Sequence, residues 1–111
     1  MAIDMHALAQ QIGSVLVDRL KKDAPGIAEF ARAEGAKIAQ SIATIEGLAL
    51  AKKITHEECK LHLRIQRNAS RTILLTAKGL GLLTVENAIN AALDVVKSTV
   101  NTAIGFSLIP I

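Results

Sequence analysis

The chain has few of the residues that most often build catalytic or binding sites. Its 111 residues include one cysteine and two phenylalanines, with no tryptophan or tyrosine. A single cysteine excludes an internal disulfide framework and a four-thiolate zinc site. The shortage of aromatic side chains removes the stacking surfaces that most readers of single-stranded nucleic acid use.

The chain also has few charges for its size. Charged residues make up 21% of the sequence, hydrophobic residues make up 50%, and the formal net charge is +3. This composition is too apolar for a disordered segment and predicts a single folded domain over residues 1–111. A mean hydropathy of +0.36 is high for so small a protein. We therefore expect part of its apolar surface to be covered by a partner, by the protein itself or by lipid.

Targeting and membrane-spanning segments are not apparent in the sequence. Asp4 comes early, and no positively charged stretch precedes an apolar core, so we do not expect a secretory signal. The longest stretch without Asp, Glu, Lys or Arg covers residues 98–111. It is shorter than the ~20 apolar residues of a spanning helix. These features predict a cytoplasmic protein or a component of an intracellular assembly.

Hydrophobic spacing predicts an all-α fold. Apolar residues recur at helical intervals between three breaks, of which two contain Pro or Gly and one is indicated by the helix-start signal at Thr55. The predicted helices cover residues 4–22, 25–54, 56–78 and 85–104. Their short connections favour a small four-helix bundle, with an open array of helical hairpins as the alternative. We expect oligomerisation to complete either architecture, because Ala-rich seams bury little area per residue.

Side chains that can cap a helix indicate where the four predicted helices begin. The predicted N-caps are Asp4, Asp23, Thr55 and Thr84. Thr55 and Glu58 have the spacing of a capping box.

Gly35 and Gly47 interrupt the second helix, which indicates either close approach of a neighbouring helix or a hinge. Glu46 lies near the apolar seam of this helix, and we expect its carboxylate to reach solvent at the rim, with a buried acid as the alternative.

A stripe of cations is the most distinctive pattern in the chain. Five basic side chains fall within a sector of about 60° on the third predicted helix, at about 100° per residue. They are Lys60, Arg64, Arg67, Arg71 and Lys78. No acidic residue follows Glu58 on this helix, so the cations repel one another without compensation from their own helix.

Two interpretations of this stripe are open. It is either a solvated face paired across the bundle with Glu29, Glu34 or Glu86, or a binding surface for an anionic partner. Such a partner would be a nucleic-acid backbone, an anionic membrane surface or acidic groups of another subunit. Leu74 and Leu75 flank the stripe, which favours a membrane surface or a protein interface.

A possible metal site follows the start of the third helix, but its geometry is poor. His56, Cys59 and His62 are suitable zinc ligands. Their spacing of three and three spreads them over about a third of the helix circumference. We therefore expect no metal and no other cofactor, with Cys59 as a small buried residue. The chain also lacks a nucleophile motif and a phosphate-binding glycine loop, so we expect neither catalysis nor a small-molecule substrate.

The C-terminal segment, residues 105–111, is unusually apolar for a chain end. Phe106, Leu108, Ile109 and Ile111 either fold back over the core or insert into a neighbouring subunit. We expect a non-enzymatic structural protein that forms a homo-oligomer, or joins a protein partner, through apolar helix seams and this segment. The alternative is an accessory module that binds nucleic acid or an anionic membrane surface through the basic stripe.

Overall fold

The computed structural model describes residues 3–110 and confirms the all-α prediction. Over this range the chain forms four helices and no strand. These are α1 (Met5–Leu20), α2 (Ala28–Leu50), α3 (His56–Leu74) and α4 (Leu82–Ile104). The helices assemble into a small bundle measuring 42 × 23 × 21 Å.

The bundle closes unevenly around its axis. α1 packs extensively on α2 and α4, and α2 packs on α3 along its other side. α3 and α4 complete the circuit but touch each other only sparsely. Of the four interfaces between neighbouring helices, the one between α3 and α4 is therefore the most open.

The core consists of the predicted apolar faces. It draws mainly on Leu, Ile, Val and Ala from all four helices. Among its fully buried members are Ile12 and Leu16 of α1, Ile38 and Ile42 of α2, Leu74 of α3, and Val85, Val96 and Val100 of α4. Because Leu74 is completely buried, it cannot flank an exposed cationic stripe as the sequence suggested.

Two of the predicted N-caps are confirmed. The Asp4 carboxylate accepts a hydrogen bond from the Ala7 backbone N–H at 3.2 Å. The Thr55 hydroxyl accepts from the Glu58 N–H at 3.1 Å, and the Glu58 carboxylate accepts from the Thr55 N–H at 2.8 Å. These bonds satisfy backbone donors that a helix start otherwise leaves free.

The other two N-cap predictions were wrong. α2 begins at Ala28 with no side-chain cap. The Ile27 N–H instead closes a turn onto the Ala24 carbonyl at 3.0 Å, and both side chains are buried in the core. α4 begins at Leu82, ahead of Thr84, because Gly81 is extended and its carbonyl accepts the first helical hydrogen bond from Val85.

Three helices end earlier than predicted, α1 by two residues and α2 and α3 by four each. α2 stops at Leu50, because Lys52 adopts the left-handed conformation at φ 58°. The Lys53 N–H then bonds to the Leu48 carbonyl and the Lys52 N–H to the Ala49 carbonyl, the pattern of a Schellman motif. α3 stops at Leu74 and is followed by a turn in which Gly79 has φ +97°.

Gly35 marks a close crossing of α1 and α2. A Cβ added at Gly35 would lie 2.8 Å from both the Cα and the N of Gly13. A Cβ at Gly47 would meet nothing within 4 Å. The close-approach interpretation is therefore correct for Gly35 and has no support at Gly47, while α2 runs without interruption through both positions.

A helix that spans a membrane must be both long and apolar. Within residues 3–110, none is both long and apolar enough to cross a bilayer.

Candidate functional site: a cationic groove between α3 and α4

Four of the five predicted cations lie together along the open side of the bundle. Lys60, Arg64, Arg67 and Arg71, here called the α3 cations, line clefts between α3 and its neighbours. Lys78 is not among them, because α3 ends at Leu74 and Lys78 falls in the following connection. It lines a separate cleft of about 630 Å³ beside Asp23 and Glu29. The prediction that Lys78 continues the stripe was wrong.

Two adjacent clefts form what we call the cationic groove. One, of about 240 Å³, is lined by Arg64, Arg67, Asn68, Arg71, Glu86, Ile89 and Asn90. The other, of about 280 Å³, is lined by Lys60, Leu63, Arg64, Arg67, Ser107, Leu108 and Pro110. Arg64 and Arg67 line both clefts and therefore lie at the centre of the groove.

At one end of the groove, a cation of α3 forms an ion pair with an acid of α4. Arg71 Nη1 lies 2.9 Å from Glu86 Oε1 of α4, with both side chains more than a third exposed. This is one of the cross-bundle pairs that the solvated-face interpretation predicted. Its exposure limits its contribution to stability to at most about 1 kcal/mol.

The other α3 cations are less well compensated. Arg67 donates from Nη2 to Asn90 Oδ1, which is neutral, and its buried Nε has no hydrogen-bond partner within residues 3–110. Lys60 Nζ is 3.7 Å from the highly exposed carboxylate of Glu57. Arg64 is exposed and forms no hydrogen bond or ion pair with any residue in the described range.

The buried Nε of Arg67, which has no partner among the described residues, favours a ligand that supplies an acceptor oxygen. A buried donor without an acceptor costs free energy that a bound oxygen atom would recover. Guanidinium groups present several N–H donors in one plane, which matches the oxygens of phosphate and carboxylate. With Arg64 beside it, Arg67 thus offers two such planes in one groove.

The C-terminal segment forms the third wall of the groove. Leu108 and Ile109 are buried against the chain's own core. The Asn101 side chain holds the segment in place, donating to the Ile109 carbonyl and accepting from its N–H, each at 2.9 Å. The Phe106 ring stacks on His56 at 3.8 Å, with 12° between the ring planes. Ile111 lies outside the described residues.

This arrangement matches the first of the two alternatives for the segment, folding back over the core. Leu108 and Ile109 are not available to a neighbouring subunit in this conformation. Any assembly contact through them would first require the segment to leave its site.

The three candidate metal ligands are not brought together. His56 stacks on Phe106, Cys59 is fully buried, and His62 is exposed beside α2. Among residues 3–110, no three His, Cys, Asp or Glu side chains are placed to hold a metal ion. Burial raises the pKa of the Cys59 thiol, and the nearby Glu58 charge raises it further, although a backbone hydrogen bond partly offsets the change.

On the α4 side of the groove, the sequence named Glu86 as one of three possible partners and missed Asn90. Glu86 and Asn90 are one helical turn apart on α4 and oppose Arg71 and Arg67, which are one turn apart on antiparallel α3. That matching i, i+4 spacing was visible in the sequence. It becomes informative only once α3 and α4 are known to be neighbours.

Two buried acids also differ from expectation. Glu46 is 5% exposed and does not reach solvent, because its Oε1 accepts from the Ile3 backbone N–H at 2.9 Å. Glu34 is 1% exposed and bonds to Lys37 of its own helix at 2.9 Å. Glu34 is therefore not a partner for the α3 cations.

Comparison with known proteins adds no further assignment. No protein-family model, curated protein or solved structure matches the chain.

Proposed function

We propose that the protein is a non-enzymatic binding module that holds an anionic, phosphate-bearing partner in the cationic groove. The observation that carries the proposal is the lack of charge compensation at Arg64 and Arg67. Both line the groove, neither contacts a carboxylate among the described residues, and Arg67 leaves a buried donor unpartnered. A partner that supplies phosphate oxygens would compensate both charges.

Inorganic polyphosphate is a suitable probe, because it presents phosphate oxygens without bases or lipid chains. We expect Arg64→Glu to weaken binding of labelled polyphosphate by about tenfold or more, the usual effect of losing a direct phosphate contact. We also expect the affinity of the unmodified protein to fall steeply with salt. Fluorescence anisotropy at several salt concentrations measures both effects.

The matched control is Lys22→Glu. Lys22 is an exposed cation beyond the end of α1, so this variant changes the net charge by the same amount away from the groove. We expect its affinity to stay close to that of the unmodified protein. Equal weakening by the two variants would contradict a localised site, and an absence of binding by the unmodified protein would contradict the function itself.

A second candidate function is structural self-association. Its support is an adjacent pair of apolar side chains in the first turn of α4, Leu82 and Leu83, which are 53% and 70% exposed. A second copy of the chain would cover this pair and lower the cost of its exposure to water. The C-terminal segment contributes less to this proposal than the sequence suggested, because Leu108 and Ile109 are already buried.

Light scattering on a sizing column tests this second candidate. Self-association predicts a mass that is a multiple of 11.8 kDa. The double variant Leu82→Ser/Leu83→Ser should then have a smaller mass and an unchanged helical content. A monomeric unmodified protein, or an unchanged multiple in the variant, would refute assembly through α4.

A further inference from the structure

α3 exposes apolar side chains beside its cations. Leu61 is 50% exposed and Ile65 is 60% exposed, and they lie one helical turn apart. Together they form what we call the apolar ridge. Neither side chain belongs to the core or is packed against it, so the ridge protrudes from the bundle.

The order of side chains around α3 places the ridge next to the groove. At about 100° per residue, the α3 cations lie within about 40° of Lys60, whereas Leu61 and Ile65 lie about 100° and 140° from it. The buried residues Cys59 and Leu63 lie on the opposite side of the cations. Core, cations and exposed apolar side chains therefore follow one another around the helix.

The position of α3 in the bundle leaves this surface accessible. α3 packs mainly on α2 and only sparsely on α4. It carries four basic and two acidic residues. One of the acids, Glu58, is engaged in the capping box. Among the α3 cations, Arg64 lies nearest to the ridge in this order around the helix, and it has no partner in the described chain.

We infer that α3 docks the protein on the surface of an anionic lipid bilayer, with the apolar ridge inserted among the acyl chains and the α3 cations on the headgroup phosphates. This inference rests on the proposed function, because it identifies the source of the phosphate that the groove binds. Helices that combine apolar and cationic faces bind the interface of anionic membranes without spanning them. Long basic side chains reach the headgroups while their stems stay in apolar surroundings.

Nucleic acid fits this surface less well. Proteins that hold single strands stack bases on aromatic side chains, and α3 has no aromatic ring apart from its histidines. Of the two phenylalanines in the chain, Phe106 is already stacked on His56 and Phe30 is on α2. Protruding Leu61 and Ile65 would add little to binding along a phosphate backbone.

A second copy of the chain also fits poorly. A two-fold contact sets the same surface of both copies together, so burying two ridges would bring the α3 cations of the copies close to each other. Two acids beside these cations already pair with them, Glu86 with Arg71 and Glu57 with Lys60. A bilayer with anionic headgroups supplies the missing negative charge as well as the apolar environment.

Co-sedimentation with phosphatidylcholine vesicles, with and without phosphatidylglycerol, tests the inference. We expect binding only to the anionic vesicles. Leu61→Ser/Ile65→Ser should weaken this binding by about tenfold or more, because two apolar side chains no longer leave water. The same variant should bind polyphosphate as the unmodified protein does. Leu50→Ser/Val95→Ser, which alters two equally exposed apolar residues away from α3, should retain vesicle binding.

A tryptophan probe gives a second, independent readout. Because the chain has no tryptophan, a single introduced indole reports on one position. We expect Ile65→Trp emission to shift to the blue with anionic vesicles, and Val95→Trp emission to stay unchanged.

The outcomes separate the two proposals. Binding to polyphosphate without binding to anionic vesicles, or vesicle binding that does not depend on the ridge, would overturn the membrane assignment alone. A DNA duplex that binds more tightly than vesicles at equal phosphate concentration would overturn it in favour of nucleic acid. Failure of the unmodified protein to bind polyphosphate would overturn the proposed function itself.

Discussion

Gly35→Ala should lower the free energy of unfolding by about 1–3 kcal/mol, the usual cost of forcing extra volume into a packed site. The new Cβ would lie 2.8 Å from the Cα and N of Gly13. These are backbone atoms of α1, so neither can rotate away, and the two helices must separate. Alanine favours a helix interior over glycine by at most about 1 kcal/mol, which is too little to offset the clash.

Gly47→Ala is the matched control in the same helix. A Cβ there meets nothing within 4 Å, so only the helix preference of alanine acts and the free energy of unfolding should rise by up to about 1 kcal/mol. Urea unfolding followed by far-ultraviolet circular dichroism measures both variants. If Gly35→Ala is as stable as Gly47→Ala, the close crossing of α1 and α2 is wrong.

Leu108→Ala/Ile109→Ala should cause the largest loss of stability, at least about 3 kcal/mol, because each buried Leu or Ile that becomes Ala leaves a cavity. Both side chains are almost completely buried in the described chain. This loss is a large share of the stability of a typical small domain. If the double variant does not fold, Ile109→Val provides a milder test and should cost about 1 kcal/mol.

The control for this prediction is Leu82→Ala/Leu83→Ala, which truncates another adjacent apolar pair. Leu82 and Leu83 are more than half exposed, so urea unfolding should show a change within about 0.5 kcal/mol, as is usual for surface positions. The opposite pattern, with a tolerant C-terminal segment and a sensitive α4 start, would show that residues 108–109 do not belong to the core.

The sequence predicted the helices better than their ends. Each helix has an apolar face repeated over several turns, and burial of that face decides whether the helix forms. The ends depend on single backbone conformations with weaker signals. Lys52 takes a left-handed conformation that usually indicates Gly, and Gly81 is the N-cap of α4 where the sequence predicted Thr84.

The α3 side of the candidate site was easier to predict than its α4 side, for a similar reason. The spacing of Arg64, Arg67 and Arg71 placed them on one face of α3, but their opposing residues depend on the order in which the helices pack. Glu86 and Asn90 lie opposite because α4 closes the bundle against α3. Glu46 shows the same limit, since its burial depends on a hydrogen bond from Ile3, far away in the chain.

The uneven closure of the bundle connects the fold to the proposed function. Tight packing of α3 on α4 would bury Arg64 and Arg67, which have no carboxylate partner among the described residues, at a cost of several kcal/mol per ion. The sparse contact between these helices leaves their charges in a groove that a mobile anion can reach. These cations line the proposed binding surface.

Backbone and arginine side-chain NMR spectra during a polyphosphate titration test the central claim most directly. We expect the largest shifts at residues 60–71 of α3, at Asn90, and at the Nε–H signals of Arg64 and Arg67. Shifts centred instead on Lys78 and the connection between α1 and α2, or no shifts at saturating polyphosphate, would contradict the cationic groove as the binding site.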